Sequence, residues 1–506
     1  MTLITLINPL SCGQSLFVNS KSIRRPIAMS KILAPIPTVL AAFVLILQFF
    51  TFTEAQDVDV RIRINAEKAV TADVTVSVNV TNKAERIWFM DQYAEVSGLL
   101  TERLSHIYFY DKPGFLIARK SLQPNEMVSL NNVGKLAYTV DLTPRPGMFA
   151  AAHTSWAKAD GGLLVLDDLL PQSVGKTAKV SFELPVGWKV AGLAAQPVAV
   201  PNVEKAVFYV GSNMREVSSG SVKLAISGEW QFTDGEAASM ADSIVKEYEK
   251  AFGKLAEPNV IVRLSKFPNT VGLGNWEGDT RTSTVTIVSS DMPFKNQSVQ
   301  RLHEQLRHEL FHLWIPNGVN LSGNYDWFYE GFALYQSLKV GVGVNRLSFA
   351  DFLDTLSRAY GIDDSQTNRT SLIDASANRW SGSNTTVYAR GMLLGFLCDI
   401  AVLEASGGKR SVTDLIKAVV TKHSLTTPRT DGNTALIAIF RSHPELAAMT
   451  ERYVSGSEVF SMDAPLLQAG IQIDRSTGVP KFTAVSKPSG KQKKILEKLG
   501  IDNWRK

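Results

Sequence analysis

The stretch QLRHELFHLW, residues 305 to 314, places two histidines four positions apart, with a glutamate directly after the first. In an α-helix, residues i and i+4 lie about 40° apart around the axis and roughly 6 Å apart along it. His308 and His312 would therefore project from one face on successive turns, where both imidazoles can bind one zinc ion. Glu309 points about 100° further around the helix, where it can hold a water molecule beside the metal.

Zinc needs a third protein ligand if its fourth position is to stay open for water. The candidate is Glu330 in YDWFYEGFALY, on a second predicted helix that follows a turn containing Pro316, Gly318 and Gly323. The sequence thus predicts a site with two histidines, one glutamate and one zinc ion. The alternative is a polar helix face with stacked histidines, which the helical, apolar surroundings and the second helix make less favourable.

The other histidines are not predicted to be metal ligands. His303 lies five residues before His308, so it points about 140° away and is expected to be exposed or to cap the helix. The remaining four have no neighbour at metal-ligand spacing: His106, His153, His423 and His443.

Composition limits the class of protein. The chain has 506 residues, of which 45% are apolar and 20% charged, and this indicates a folded protein with two or more domains. Its net charge is +5. The first 55 residues contain four basic residues and one acidic residue, a charge of +3, so the rest of the chain has a charge of +2. No basic stripe with interleaved aromatic residues occurs before the carboxy-terminal segment, so no nucleic-acid partner is expected.

The first 55 residues are interpreted as a leader. A basic start at Lys31 precedes an apolar run over residues 39–50, and Ala55 is a plausible cleavage point for export to the periplasm or the cell exterior. The alternative is an uncleaved membrane anchor over residues 39–52. Of the two cysteines, Cys12 lies in this leader and Cys398 lies in an apolar run, so Cys398 is expected to be a core residue without a disulfide partner.

The hydrophobic period changes once along the chain. Residues 56–230 contain short alternating runs separated by Gly, Pro, Asn and Asp, which predicts an antiparallel, β-sandwich-like domain. Residues 231–478 combine a few strands with long helical patterns, beginning at a predicted helix start at Thr233 and Asp234. Residues 479–506 are lysine-rich and are expected to form a solvated basic tail.

These residues resemble the gluzincin zinc metallopeptidases, in particular the glycyl aminopeptidase family, which is related to aminopeptidase N and thermolysin-like peptidases. The matching stretches are HELFHLW (308–314), WFYEGFALY (327–335), YARGMLLGFLCDI (388–400) and, less specifically, YVSGSEVFSMDAPLLQAGI (453–471). The resemblance implies a thermolysin-like, α+β and mainly helical catalytic domain after the β domain.

The resemblance also implies roles for individual residues. His308, His312 and Glu330 match the zinc ligands, Glu309 matches the general base, and Tyr388 matches the tyrosine that stabilises the oxyanion. Without the resemblance, Tyr388 would be interpreted as a buried aromatic residue with a bonded hydroxyl group.

The same family holds the substrate backbone on a glycine-rich edge strand ahead of the zinc helix. VGLGNWEGD (271–279) occupies the corresponding place, so the candidate substrate-binding residues are Gly272, Leu273, Gly274 and Asn275. Glu277 is the nearest acidic residue that could anchor a free amine, although its register on the strand is open. The glycines could equally mark an ordinary bulge.

The sequence therefore predicts an exported zinc metallopeptidase that acts on peptides, with cleavage near their amino ends. Two alternatives remain: an endopeptidase on the same scaffold, and a catalytically silent binding or scaffold protein. Contact with a membrane is expected only if the leader is retained, and the sequence does not specify an oligomeric state.

Overall fold

The computed structural model describes residues 57–67, 69–79, 86–89, 100–129, 131–145, 150–193, 195–476 and 478–502. The expected export signal, the alternative anchor over residues 39–52 and Cys12 lie outside these residues.

The first region is built of short strands. From residue 58 to residue 211 its elements are β1 (Val58–Asn65), β2 (Thr71–Val78), β3 (Arg86–Trp88), α1 (Leu100–Arg103), β4 (Leu104–Tyr110), β5 (Leu116–Ile117), β6 (Arg119–Gln123), β7 (Glu126–Ser129), β8 (Lys135–Asp141), β9 (Trp156–Lys158), β10 (Gly161–Val165), α2 (Leu166–Leu169), β11 (Ala178–Glu183), β12 (Lys189–Val190), β13 (Val198–Val200) and β14 (Val207–Gly211).

These strands form a seven-stranded sheet in the order β13-β11-β1-β2-β8-β4-β5, a four-stranded sheet β12-β14-β10-β9 and a three-stranded sheet β3-β7-β6. Buried residues alternate with mostly exposed ones along β1 and with half-buried ones along β2, as a sheet with one covered face requires. The seven- and four-stranded sheets contribute to one apolar core. The predicted sheet-rich region is confirmed, but the prediction that it is wholly antiparallel is wrong. β1 and β11 pair in parallel. A short hairpin would require antiparallel strands, whereas the long stretch of chain between these two strands allows the parallel direction.

The second region is mainly helical. Its elements are β15 (Arg215–Ser219), β16 (Val222–Ile226), α3 (Asp234–Phe252), β17 (Val260–Lys266), β18 (Trp276–Arg281), β19 (Thr284–Ser289), α4 (Lys295–Phe311), β20 (Leu321–Ser322), α5 (Asp326–Gly343), α6 (Phe349–Asp364), α7 (Leu372–Ala377), α8 (Asn384–Ala405), α9 (Val412–Lys422), β21 (Thr430–Asp431), α10 (Gly432–Arg441), α11 (Pro444–Met449), α12 (Asp463–Ala469), β22 (Ile471–Asp474), β23 (Lys481–Ala484) and α13 (Gly490–Leu499).

A five-stranded sheet in the order β15-β16-β17-β19-β18 supports these helices. β16 pairs in parallel with β17, so β15 and β16 belong to the second region. The sheet of the second region therefore begins with β15, ahead of the predicted boundary at residues 230 and 231. The alternating pattern of β15 and β16 identified them as strands but did not reveal which sheet they join. β18 is an edge strand, antiparallel to β19.

The helix start predicted at Thr233 is confirmed. The Thr233 side chain accepts a hydrogen bond from the backbone N–H of Glu236, and the Glu236 side chain accepts one from the backbone of Thr233. This reciprocal capping satisfies two N–H groups that the first turn of a helix leaves without partners.

Helices α5 and α8 form the centre of the second region. A side chain at Gly391 would lie 2.6 Å from the backbone oxygen of Trp327, so glycine allows the two helices to approach closely there. α8 is long and apolar enough to cross a membrane, yet 83% of its most apolar window is buried inside the protein, as in the core helix of a folded domain. Cys398, on this helix, is buried and free, which confirms the expected core position.

The carboxy-terminal segment is not a solvated tail. β23 pairs with β22, and α13 begins with a capping box formed by Ser489 and Gln492. Ile495, Leu496 and Leu499 are at most 2% exposed and join the main core of the second region. The expected basic tail over residues 479–506 is therefore wrong for residues 481–499. The lysines attracted attention in the sequence, but the helix buries the apolar side chains between them.

Candidate metal centre

The two histidines of the opening stretch face one another. α4 ends at Phe311, and His312 keeps a right-handed helical backbone as its C-cap, so the i, i+4 relationship is preserved. The Nε2 atoms of His308 and His312 are 3.3 Å apart. Nδ1 of His312 lies 3.0 Å from the backbone oxygen of Ile315. Because that oxygen can only accept, Nδ1 is the donor in this bond, and Nε2 is the ring atom left to bind a metal ion.

Glu330 completes the cluster from α5. Its Oε2 lies 3.3 Å from Nε2 of His308 and 3.6 Å from Nε2 of His312. Ligand atoms bound about 2.0 to 2.1 Å from a tetrahedral zinc ion lie roughly 3.3 Å from one another. Oε2 is also buried without a hydrogen-bond donor in acceptable geometry among the described residues. The two nitrogens and this oxygen therefore have the spacing and the chemistry of a zinc site.

Glu309 is the second carboxylate at the cluster. One of its carboxylate oxygens and one ring nitrogen from each of His308 and His312 all lie within 4.8 Å of one another. However, its Oε1 is 4.0 Å from Nε2 of His308, further than Oε2 of Glu330, so Glu330 is the better third ligand and Glu309 lies beside the centre. The Thr280 hydroxyl lies 2.9 Å from Oε2 of Glu309. Burial raises the pKa of Glu309, partly offset by the two imidazoles.

The edge strand β18 runs directly past Glu309. A side chain at Gly278 would place its Cβ 2.7 Å from Cγ of Glu309 and closer still to its carboxyl group. Thr280, two residues on, faces the same helix and contacts the same glutamate, as the alternation of a strand requires. Only glycine at position 278 leaves enough room for the Glu309 side chain to lie where it does.

The predicted substrate-binding residues lie at one end of this strand. Gly272, Leu273, Gly274 and Asn275 form the turn before β18, and the Asn275 N–H donates to the Gly272 oxygen at 3.3 Å. The strand itself begins at Trp276. The glycine that contacts Glu309 is thus Gly278, a residue that the sequence interpretation did not select.

Glu277 points toward the β-rich region, away from the face that carries Gly278. Its Oε1 accepts the backbone N–H of Ala150 at 3.0 Å, and its Oε2 accepts that of Ala152 at 3.2 Å. Burial raises the pKa of Glu277, and the nearby His153 opposes that shift. The carboxylate therefore ties the start of the edge strand to the loop around residue 151.

Tyr388 and Arg379 form the remaining side of the centre. The Tyr388 ring, on α8, lies 6.2 Å from the His308 ring, and its hydroxyl accepts a hydrogen bond from Nη2 of Arg379 at 2.6 Å. Nη1 of Arg379 lies 2.8 Å from Oε1 of Glu330. Burial alone would raise the pKa of Glu330, but Arg379 and then His312 hold it well below its usual range. Arg379 was missed because no short-range spacing in the sequence relates it to Glu330.

His303 is not in the exposed or capping position expected from the sequence. It is buried, not exposed, and its Nδ1 lies 2.7 Å from Nη1 of Arg307, which is itself buried. A helix that packs on several sides buries a residue that points away from the metal-binding face. Its hydrogen bond is to the next turn of its own helix, and it contributes nothing to the cluster.

Comparison with protein-family models and with curated proteins gives no match. Among solved structures, an aminopeptidase N family protein from Idiomarina loihiensis is similar to this chain with a TM-score of 0.68 at 15% identity, over 82% of this chain and 79% of the other. An M1 zinc metallopeptidase from Deinococcus radiodurans has a TM-score of 0.48 at 16% identity, over 78% and 92% of the chains. LTA4 hydrolase from yeast has a TM-score of 0.49 at 13% identity, over 80% and 68%.

The likeness to the Idiomarina loihiensis protein establishes the fold. The chain has a sheet-rich first region and a helical second region arranged as in that aminopeptidase N family protein. The resemblance to the gluzincin metallopeptidases, first inferred from short motifs, is thus confirmed at the level of fold.

Proposed function

We propose that this protein is a zinc-dependent metallopeptidase, and that it acts as an aminopeptidase. The observation that carries the proposal is the triangle of His308 Nε2, His312 Nε2 and Glu330 Oε2, with sides of 3.3, 3.3 and 3.6 Å. A carboxylate that belongs to neither the triangle nor a surface ion pair, Glu309, lies directly beside it. This arrangement matches a hydrolytic zinc site, which needs three ligands and a separate base.

The side chains have distinct tasks in peptide hydrolysis. When bound, zinc supplies a Lewis acid for the scissile carbonyl and acidifies a water molecule. The Glu309 carboxylate accepts the proton of the attacking water and passes it to the leaving amine, while Thr280 holds its Oε2 in place. The Tyr388 hydroxyl donates to the oxyanion that develops on the carbonyl oxygen. The free edge of β18 supplies backbone N–H and C=O groups for an extended peptide.

The preference for an amino end rests on Glu277. Its carboxylate accepts the backbone N–H groups of Ala150 and Ala152 and a further one from Ala151, and a carboxylate has about four lone-pair sites. A substrate ammonium group can therefore share this carboxylate at the start of the edge strand. The turn residues 272–275 would border the same end of the peptide.

Two measurements on one preparation test the proposal: metal analysis, and cleavage of a peptide library synthesised with free and with acetylated amino termini. We expect about one zinc ion per chain and release of amino-terminal residues from the free peptides only. Equal cleavage of acetylated peptides at internal bonds would instead establish an endopeptidase. A zinc-loaded protein that cuts neither set would leave the scaffold alternative.

Export is a second, independent proposal, which rests on the sequence of residues 29–56. Sequencing the amino terminus of the protein purified from its native source tests it. A first residue close to position 56 would support cleavage and export, whereas a start before residue 39 in a membrane fraction would support the anchor.

A further inference from the structure

Arg379 is a mostly buried arginine whose partners come from two different helices. It lies in the short turn between α7 and α8, and its side chain is only 11% exposed. Nη1 lies 2.8 Å from Oε1 of Glu330 and 3.0 Å from Oδ1 of Asp326, both on α5. Nη2 donates to the hydroxyl of Tyr388, on α8. A planar guanidinium with partners on both terminal nitrogens is held in one orientation.

The two oxygens of Glu330 have separate partners. Oε2 faces the imidazoles of His308 and His312, and Oε1 faces Arg379. A charge-assisted bond to one oxygen fixes the rotation of the whole carboxylate and so fixes the position of the other. Asp326 lies one helical turn before Glu330 and contacts the same nitrogen of Arg379, which holds the guanidinium on α5.

The direction of the bond between Arg379 and Tyr388 determines where the tyrosine proton points. Arginine has five donors and no acceptor, so the phenol oxygen accepts in this bond. The single hydroxyl proton of Tyr388 is then available for another acceptor: the Glu330 carboxylate is one beside it, and an oxyanion that develops on the substrate is another. A positive charge beside the oxygen also strengthens the hydroxyl as a donor.

We infer that Arg379 is a positioning residue that serves both the metal ligand and the oxyanion donor. It orients Oε2 of Glu330 toward the two imidazoles, and, because it can only donate to the Tyr388 oxygen, it leaves the hydroxyl proton available to the developing oxyanion. The first part requires a metal-binding cluster alone. The second part rests on the proposed peptidase function.

Zinc affinity tests the first part without any assay of activity. We would strip the metal and measure zinc binding by competition with a chromophoric chelator. The variants are Arg379→Met, Arg379→Lys, Tyr388→Phe and, as a matched surface arginine paired with Glu451, Arg441→Met. We expect zinc binding about 10- to 100-fold weaker in Arg379→Met, because an outer partner of a ligand is lost. Arg379→Lys should fall between it and the wild type. Tyr388→Phe should lose less affinity than Arg379→Met, because the phenol contributes only a neutral hydrogen bond to Glu330, and Arg441→Met should match the wild type.

Steady-state kinetics at saturating zinc test the second part. Arg379→Met and Tyr388→Phe should each lower kcat about 10²-fold and change KM much less, because both remove stabilisation of the developing charge. If Arg379 acts through Tyr388, the double variant should lose far less than the product of the two single losses. Arg441→Met should retain the wild-type kcat.

Wild-type zinc affinity in Arg379→Met, together with losses that multiply in the double variant, would overturn the inference. Circular dichroism and thermal unfolding check the fold of each variant. If Arg379→Met does not fold, the test uses Arg379→Lys instead. Wild-type zinc affinity together with wild-type kcat in Arg379→Lys would also overturn the inference. A wild-type protein that binds zinc but cleaves no peptide would refute the proposed function, while the affinity series would still decide the role of Arg379 toward Glu330.

Discussion

The candidate metal centre has a helix side and a strand side, and the two are built differently. On the helix side, His308, Glu309 and His312 come from five consecutive residues, and helix geometry alone brings them to one place. On the strand side, Gly278 and Thr280 reach Glu309 from β18 only through the packing of the sheet against α4. The helix side therefore carries the candidate ligands and the candidate base, and the strand side restricts where the Glu309 side chain can lie.

The largest expected effect lies on the helix side, at Glu309. Glu309→Gln removes the base but preserves the size of the side chain, so kcat should fall about 10²- to 10⁴-fold with zinc still bound. Peptide hydrolysis and metal content of the same sample measure both. Activity equal to the wild type would show that Glu309 is not the base. The strand side would then have no base to place, and the two sides of the centre would not differ in the proposed way.

Gly278→Ala tests whether the strand side places Glu309. The added methyl group would overlap the Glu309 side chain, which can swing aside more easily than backbone can. We expect activity to fall about 10²-fold because the base is displaced by about 1 Å, while the melting temperature changes little. Gly343→Ala, in α5, is the matched control, because a Cβ there meets nothing within 4 Å. A fully active Gly278→Ala would mean that the strand does not restrict the base.

Thr280 allows a finer test of the same contact. Thr280→Val keeps the shape of the side chain but removes the hydroxyl that bonds to the buried Glu309 carboxylate. We expect about a tenfold lower kcat and about 1 to 2 kcal/mol lower stability, because a hydrogen bond to a buried charged group is lost. Thr280→Ser retains the hydroxyl and should recover most of the kcat. If the serine variant is as impaired as the valine variant, packing of the methyl group is the cause.

Glu277→Gln has the smallest expected effect and examines the opposite face of the strand. Glutamine offers one acceptor oxygen where Ala150 and Ala152 present two N–H groups, so about 1 kcal/mol of stability should be lost. KM for peptides with a free amino terminus should rise if this carboxylate also anchors the amine. Glu216→Gln, at a surface pair with Lys189, is the control for loss of charge. An unchanged KM would mean that Glu277 links the two regions but does not bind the substrate amine.

The sequence predicted the helix side almost completely. The i, i+4 spacing of His308 and His312 is visible in the chain, and the aromatic run around Glu330 identified the second helix. The strand side was only partly predicted. A glycine-rich segment indicated an edge strand, but β18 begins at Trp276, after the selected turn residues. Periodicity indicates that a strand exists, whereas the contacts with α4 determine which of its glycines matters.

By itself, the sequence determined which residues of one helix form the candidate cluster, the order of a sheet-rich and a helical region, and the capped start at Thr233. These features depend on neighbours within about one or two helical turns or along one strand, and such neighbours are fixed by backbone geometry. Only the tertiary structure decided that Arg379 bridges Glu330 and Tyr388, and that the lysine-rich carboxy-terminal segment packs into the core. The contact of Arg379 with Glu330 and those of the carboxy-terminal helix with the core join residues far apart in the chain, and packing alone brings such residues together.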